Sequence, residues 1–280
     1  MSKPFVDDNE MNLTEFYESW AKDQFLANES YVNDIQNLKA DAFISHLKES
    51  GLPLPLTSVV DLGCSTGLIL KKIGAAVGAD NLLGVDLSKM TVDRANELNA
   101  GVLNITFRQC DESPESVAEI LKIYCQEKGI HKISAVIMID FLEHVADPAR
   151  YVEILKPWCE YFFIKIPVEN TIWDNKLMTR LGKKVWPGKN QGDGHLWEID
   201  YHNCRHFASR VGLTRIWDYY WKHSDYVQFA PHVLKDWDTK PFYKRLMWHS
   251  LRALHNGIKK FCSTKLTLKL IGGSYFCIAK

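Results

Sequence analysis

The sequence has no net charge: 34 Lys and Arg balance 34 Asp and Glu over 280 residues. That excludes a chain that coats nucleic acid over its whole surface, which needs a cationic excess to displace counterions. No apolar run approaches the ~20 residues that span a bilayer, so no transmembrane segment is expected. No two of the seven cysteines form a Cys-x-x-Cys pair, and seven is odd. Neither a disulfide framework nor a zinc ribbon fits that pattern. The N-terminus, MSKPFVDDNE, lacks the apolar stretch of a signal peptide. A reducing cytoplasm is therefore the expected compartment, with the cysteines buried and inert. Internal repeats and low-complexity linkers are also missing.

What is present is an ordinary globular composition, 46% hydrophobic and 24% charged, with length enough for a full core. The zero charge conceals an asymmetry. Residues 1–56 carry 4 basic and 10 acidic side chains, whereas residues 235–280 carry 10 basic and 2 acidic ones.

Residues 11–49 repeat apolar positions at helical spacing (Leu13, Phe16, Trp20, then Ile35, Leu38, Phe43, Leu47) and end at Gly51-Leu-Pro-Leu-Pro. From Thr57 short apolar runs alternate with helical ones. Strands are expected at 58–62, 82–85, 105–108, 135–139 and 161–166, the last closed by Pro167. Helices are expected at 68–76, 89–98 (with Ser88 as N-cap), 116–126 and 148–157. A helix over 199–211 closed by Gly212, a strand over 214–220 and a final strand over 274–279 complete the pattern. Strand–helix alternation predicts an α/β fold with a mainly parallel sheet covered on both faces. The expected organisation is an N-terminal helical cap (1–56), a Rossmann-like domain (57–221 with 274–280, holding a lid at 168–198) and a basic helical insertion (222–273).

Between the first strand and first helix lies Gly63-Cys-Ser-Thr-Gly67. A glycine turn there lets backbone approach a nucleotide, and an acid at the end of the second strand, here Asp86, can accept from ribose hydroxyls. The run is not a phosphate-binding G-x-x-x-x-G-K-[ST], nor a dinucleotide G-x-G-x-x-G. Asp61, inside the end of the first strand, would repel a pyrophosphate and suits a ligand carrying a cation.

These motifs resemble the class I S-adenosylmethionine-dependent methyltransferases. Val59-Val-Asp-Leu-Gly-Cys-Ser-Thr-Gly67 is similar to the family's first motif, with Ser65 at its middle glycine, a place a small residue fills if its φ is negative. Gly84-Val-Asp-Leu-Ser88 is similar to the second, and Gln109-Cys-Asp111 to the acidic position after the third strand. Asp140-Phe-Leu-Glu-His-Val145 with Asp147-Pro148, and Gly194-His195-Leu196, resemble a bacterial subgroup with an LEH signature that acts on small molecules and glycans. The resemblance implies a seven-stranded sheet and S-adenosylmethionine as cofactor, leaving as S-adenosylhomocysteine. It places Asp61, Gly63, Cys64, Ser65 and Gly67 along the methionine and ribose. It sets Asp86 and Leu87 at the ribose, Asp111 and Glu112 at the adenine, and Ile139 and Asp140 beside the sulfonium. Tyr17 either closes over the cofactor, as in some relatives, or packs its helix.

Methyl transfer from a sulfonium is an in-line displacement that depends on alignment, and an alcohol acceptor also needs a base. His144 and His195 fall beyond the C-terminal strand ends, where an acceptor would bind, and Glu143 is a third candidate. His202 and His206 have i, i+4 spacing but no companion ligands, so no metal is expected. Trp173, Trp186 and Trp197 lie in or beside the lid, either stacking on a substrate or tying the lid to the core. Met247, Leu251, Leu254, Ile258 and Phe261 form one helical face, with Arg245, Arg252, Lys259 and Lys260 opposite. That helix either packs with a solvated cationic face or meets an anionic membrane or a lipid-linked, phosphorylated glycan.

The sequence thus points to methyl transfer to a small-molecule or glycan acceptor, with oxygen the expected atom and no nucleic-acid partner expected. The competing readings are a nicotinamide oxidoreductase, disfavoured by the loop spacing, and an inactive relative serving as a partner module.

Overall fold

The structure, a computed structural model, describes residues 13–22, 29–169, 171–172, 195–197, 199–222 and 241–280. Seven strands are β1 (Ser58–Leu62), β2 (Asn81–Asp86), β3 (Ile105–Gln109), β4 (Ile133–Ile139), β5 (Cys159–Val168), β6 (Arg215–Trp221) and β7 (Gly273–Ala279). They form one sheet in the order β3-β2-β1-β4-β5-β7-β6. β1 to β5 pair in parallel, and β7 runs antiparallel to both its neighbours. The reversal of strand order lies between β1 and β4, where an open α/β sheet leaves a crevice at its C-terminal edge.

Helices cover both faces, which is why the central strands are apolar on both sides. One layer packs Val60 and Leu62 of β1 against Leu121 and Tyr124 of α5 (Pro114–Lys128), Val152 and Leu155 of α6 (Pro148–Leu155), and Phe207 of α8 (Phe207–Arg210). The other packs Val59 against Ala40 and Phe43 of α2 (Glu29–Leu47), Leu70 and Ile73 of α3 (Leu68–Val77), and Val92 and Ala95 of α4 (Lys89–Leu98). The short helix α1 (Leu13–Trp20) precedes them. Ser88 caps α4 as expected, accepting a hydrogen bond from Thr91 N–H.

Three expectations are corrected. Pro167 does not close β5: it lies inside the strand opposite Ser274, and β5 continues to Val168. Near a strand end a proline forfeits one donor without ending the pairing. The helix expected over 199–211 is two short ones, α7 (Tyr201–Cys204) and α8. The His206 N–H bonds Asn203 three residues back, which tightens the chain between them. His202 and His206 therefore share no continuous helix. The C-terminal amphipathic segment does form one helix, α9 (Phe242–Phe261), but its orientation differs. Leu254 and Phe261 face solvent, His255 is buried, and Arg245 and Lys259 are half-buried. Attachments on one side explain this: Lys222 Nζ donates to the carbonyls of Lys259 and Cys262, and Thr267 Oγ1 to that of Ile258. The partner supplying Thr267 belongs to α10 (Thr264–Ile271), which packs on the sheet through Leu268 and Ile271.

Candidate active site

The turn after β1 carries left-handed backbone at Gly63 (φ 71°), Ser65 (φ 51°) and Gly67 (φ 79°). Ser65 thus does not meet the condition of a negative φ: the turn keeps its glycine geometry and Ser65 bears the strain, of order 1–2 kcal/mol. At Gly67 no side chain would fit, because a Cβ would stand 2.4 Å from the Phe107 ring. That ring also lies against Gly84, so Phe107, Gly67 and Gly84 draw the turn close to β2 and β3. Asp86, at the end of β2, accepts from Ser65 N–H (2.9 Å) and Ser88 N–H (3.0 Å). Burial raises its carboxyl above the ordinary value, opposed by these backbone donors. Leu87 beside it is half-buried, and its carbonyl accepts from the Gln109 side chain.

Asp61 is buried and its Oδ2 has no hydrogen-bond partner among the described residues. Burial, then the nearby Asp86, pushes its carboxyl well above the usual range. An orphaned buried carboxylate beside a glycine turn open to solvent at Gly63 is a receptor for a donor-rich cation such as a free amino group. Cys64 is buried below the turn. Asp111 is exposed and turned to Ser113, whose hydroxyl and N–H hold its carboxyl below the usual range. Glu112 accepts from the N–H and hydroxyl of Thr14 on α1. Glu18 of α1 reaches Ser88 Oγ (3.2 Å) and Lys89 N–H (2.5 Å) at the start of α4. With Tyr17, α1 thereby bridges the ends of β2, β3 and β4.

Beyond β4, Ile139 is buried and Asp140 takes φ 53°. Asp140 is ion-paired with Lys165 of β5 and with Lys39 of α2, the latter at 2.5 Å. Burial alone would raise its carboxyl, but the two ammonium groups outweigh it and hold it well below the usual range. The turn Leu142–His144 follows. His144 Nδ1 lies 2.8 Å from the Tyr17 hydroxyl. The His144 and His195 rings meet edge to face at 4.7 Å, and His195 Nδ1 lies 3.1 Å from both oxygens of Glu169. Neighbouring bonds fix His195 there: backbone Leu196 N–H donates to the Glu143 carbonyl, the Trp197 indole Nε1–H to the Val145 carbonyl, and Glu169 N–H to the Ile199 carbonyl.

Glu143 is fully buried, and neither carboxylate oxygen has a hydrogen-bond partner among the described residues. Burial, then repulsion from Asp140, raises its carboxyl well above the ordinary value, with His195 and Lys165 opposing. Glu143, His144 and His195 each bring a donor atom within 4.8 Å of the others. Two imidazoles and a carboxylate can move a proton, and the same set can also ligate a divalent cation.

The structure thus gathers all three candidate catalytic residues in one cluster, and Asp61, the glycine turn and Asp86 in one crevice. Most of the lid, including Trp173, Trp186 and Gly194, lies outside the described residues. Sequence reading missed Glu18, Lys39, Lys165 and Glu169. Lys165 alone left a signal, a lysine within the apolar run Phe162-Phe-Ile-Lys-Ile166 that had to find an anion.

The structure sets a strained glycine turn beside a buried, orphaned carboxyl at the switch point of a doubly wound sheet. The sequence is matched over residues 31–218 by the methyltransferase-domain family, and the chain belongs to that family. Its cofactor is S-adenosylmethionine, and membership sets the nicotinamide reading aside. The chain is 24% identical over 155 residues to a mitochondrial ubiquinone biosynthesis O-methyltransferase of Dictyostelium discoideum, covering 44% of this chain and 46% of that protein. The match thus spans about half of the relative's length. A putative sarcosine dimethylglycine methyltransferase from Galdieria sulphuraria shares the fold at a TM-score of 0.52 and 13% identity, over 86% of this chain and 85% of that one. The [4+2]-cyclase SpnF shares it at 0.51 and 12% identity, over 86% and 80%.

Proposed function

We propose that this methyltransferase acts on a hydroxyl oxygen of a small molecule or glycan. The observation that carries the reading is the cluster of Glu143, His144 and His195 beside the cofactor crevice. S-adenosylmethionine supplies an activated methyl group when bound; the chain supplies alignment and a place for the acceptor's proton. Glu169 holds Nδ1 of His195, which directs Nε2 toward a substrate and stabilises the imidazolium formed when that nitrogen takes a proton. Glu143, buried and short of donors, offers a hydrogen-bond acceptor that would orient a hydroxyl. Tyr17 positions His144 and closes α1 over the crevice. The matched relative's name, an O-methyltransferase of ubiquinone biosynthesis, agrees with oxygen as the atom. An acceptor with an anionic or lipid-linked portion suits the basic C-terminal segment. Seven free cysteines suit a reducing cytoplasm.

The test is turnover with labelled S-adenosylmethionine over a panel of phenolic, sugar and amine acceptors. O-methyl products are expected. His195→Ala should lower kcat on the best acceptor by about 10²–10⁴-fold, with the wild-type rate falling at low pH as an imidazole protonates. Chelation should leave the rate unchanged. N-methyl products, or loss on chelation restored by a divalent cation, would reassign the acceptor or the cluster.

A further inference from the structure

The chain between β6 and β7 leaves and rejoins the sheet at the edge that holds the acceptor cluster. Trp221 at the end of β6 pairs with Ser274, and Gly273 pairs with Val168, the residue before Glu169. α9 and α10 are therefore anchored beside the mouth of the site. Their inner sides are accounted for by His255 of α9 and by Leu268 and Ile271 of α10, all buried. The outer side is not that of a solvated helix. Phe261 is 82% exposed and Phe242 72%, and Tyr243, Leu246 and Leu254 are exposed with them. At about 100° per residue these five side chains lie within about a third of the helix circumference. Leu266, at the start of α10, is exposed as well.

Charge says what such a face meets. From residue 239 to the C-terminus there is no Asp or Glu, while nine Lys and Arg occur. Lys260 and Lys265 are exposed next to Phe261 and Leu266, and Lys259 is half-buried beside them. Lysines flanking a strip of Phe, Tyr and Leu are the composition of a helix lying in a membrane interface: rings and aliphatic groups enter the acyl boundary and lysines reach the phosphates. A docking face for a second protein would have to supply an acidic surface rimming an apolar groove; a lipid surface with anionic headgroups supplies both terms at once. Among the described residues no helix is long and apolar enough to cross a membrane, so this contact lies on the surface.

We propose that α9 and the start of α10 dock the protein on an anionic membrane surface, setting the mouth of the site against the lipid. The binding claim stands without the methyl-transfer reading. Its corollary, that the acceptor is an amphiphile presenting a hydroxyl at the bilayer surface, rests on that reading.

The experiment is co-sedimentation of the full chain with vesicles of phosphatidylcholine alone and of phosphatidylcholine with 30% phosphatidylglycerol, at low and high salt. Expected are at least tenfold tighter binding to the anionic vesicles and weakening by salt. Phe242→Ser/Phe261→Ser and Lys260→Gln/Lys265→Gln should each lower that binding about tenfold. All changed residues are exposed or at the helix rim, and S-adenosylhomocysteine binding by each variant monitors folding. Three results overturn the proposal: no binding to anionic vesicles, wild-type binding by both variants, or a lipid-free dimer that Phe242→Ser/Phe261→Ser makes monomeric. Loss of vesicle binding with cofactor binding intact removes this inference alone; vesicle binding without cofactor binding removes the methyltransferase reading and leaves this one.

Discussion

Ser65 shows how a single residue can carry a turn's strain. Its backbone sits at φ 51° and its hydroxyl is buried without a hydrogen-bond partner among the described residues. Ser65→Gly keeps the N–H that bonds Asp86 and removes both costs, so we expect a gain of about 1 kcal/mol, read as a higher denaturation midpoint. Equal or lower stability would refute the strain. Glu143 makes a pH-dependent prediction. Its folded-state pKa is raised above the ordinary 4.5, so the folded protein holds a proton that the unfolded chain releases. Stability from that proton is complete below about 4.5 and is lost as pH rises toward the folded value. Melting curves of Glu143→Gln should therefore draw level with wild type near pH 5 and exceed it by several degrees near pH 8. A difference that does not change with pH would contradict the buried, donor-poor carboxylate.

Among the elements, α1 joins what the sheet leaves apart. Thr14, Tyr17 and Glu18 reach the ends of β3, β4 and β2 in turn. Glu18 gives the first turn of α4 an acceptor from a distant element, in addition to the Ser88 cap. Glu18→Ala should cost about 0.5–1 kcal/mol of stability and weaken S-adenosylhomocysteine binding a few-fold, because α1 then covers the crevice less firmly. Scanning calorimetry reads the stability and titration calorimetry the affinity, and unchanged affinity would make α1 a bystander. The strands were legible because five apolar runs separated by glycine and proline admit little else. Residues 199–211 read as one helix because apolar spacing says nothing of the tight turn at Arg205 and His206. The outward turn of Leu254 and Phe261 was hidden for a similar reason: the pattern gives a stripe, but the bonds from Lys222 and Thr267 decide which side is held.

For the molecule as a whole, zero net charge is the sum of unlike regions. The acidic excess lies in residues 1–56, whose α1 bonds the segments after β2, β3 and β4, and the basic excess in residues 235–280, whose α10 leads into β7 beside the end of β5. The crevice was readable because its parts lie in sequence order: Asp61 and Gly63 at the end of β1, Gly67 at the start of α3 and Asp86 at the end of β2. The acceptor cluster was half readable. His144, Glu143 and His195 could be named, and Lys165 left a trace as a lysine in an apolar run, but Glu169 and Lys39 act through contacts between distant elements that no local pattern encodes.

The central claim is that this crevice holds the methyl donor. Calorimetric titration with S-adenosylhomocysteine tests it most directly. One equivalent should bind the full chain, and Asp86→Ala, checked for an unchanged fold by its melting curve, should bind at least tenfold more weakly, the scale of a lost charged hydrogen bond. No binding by the wild-type chain, or equal binding by a folded Asp86→Ala variant, would contradict the account.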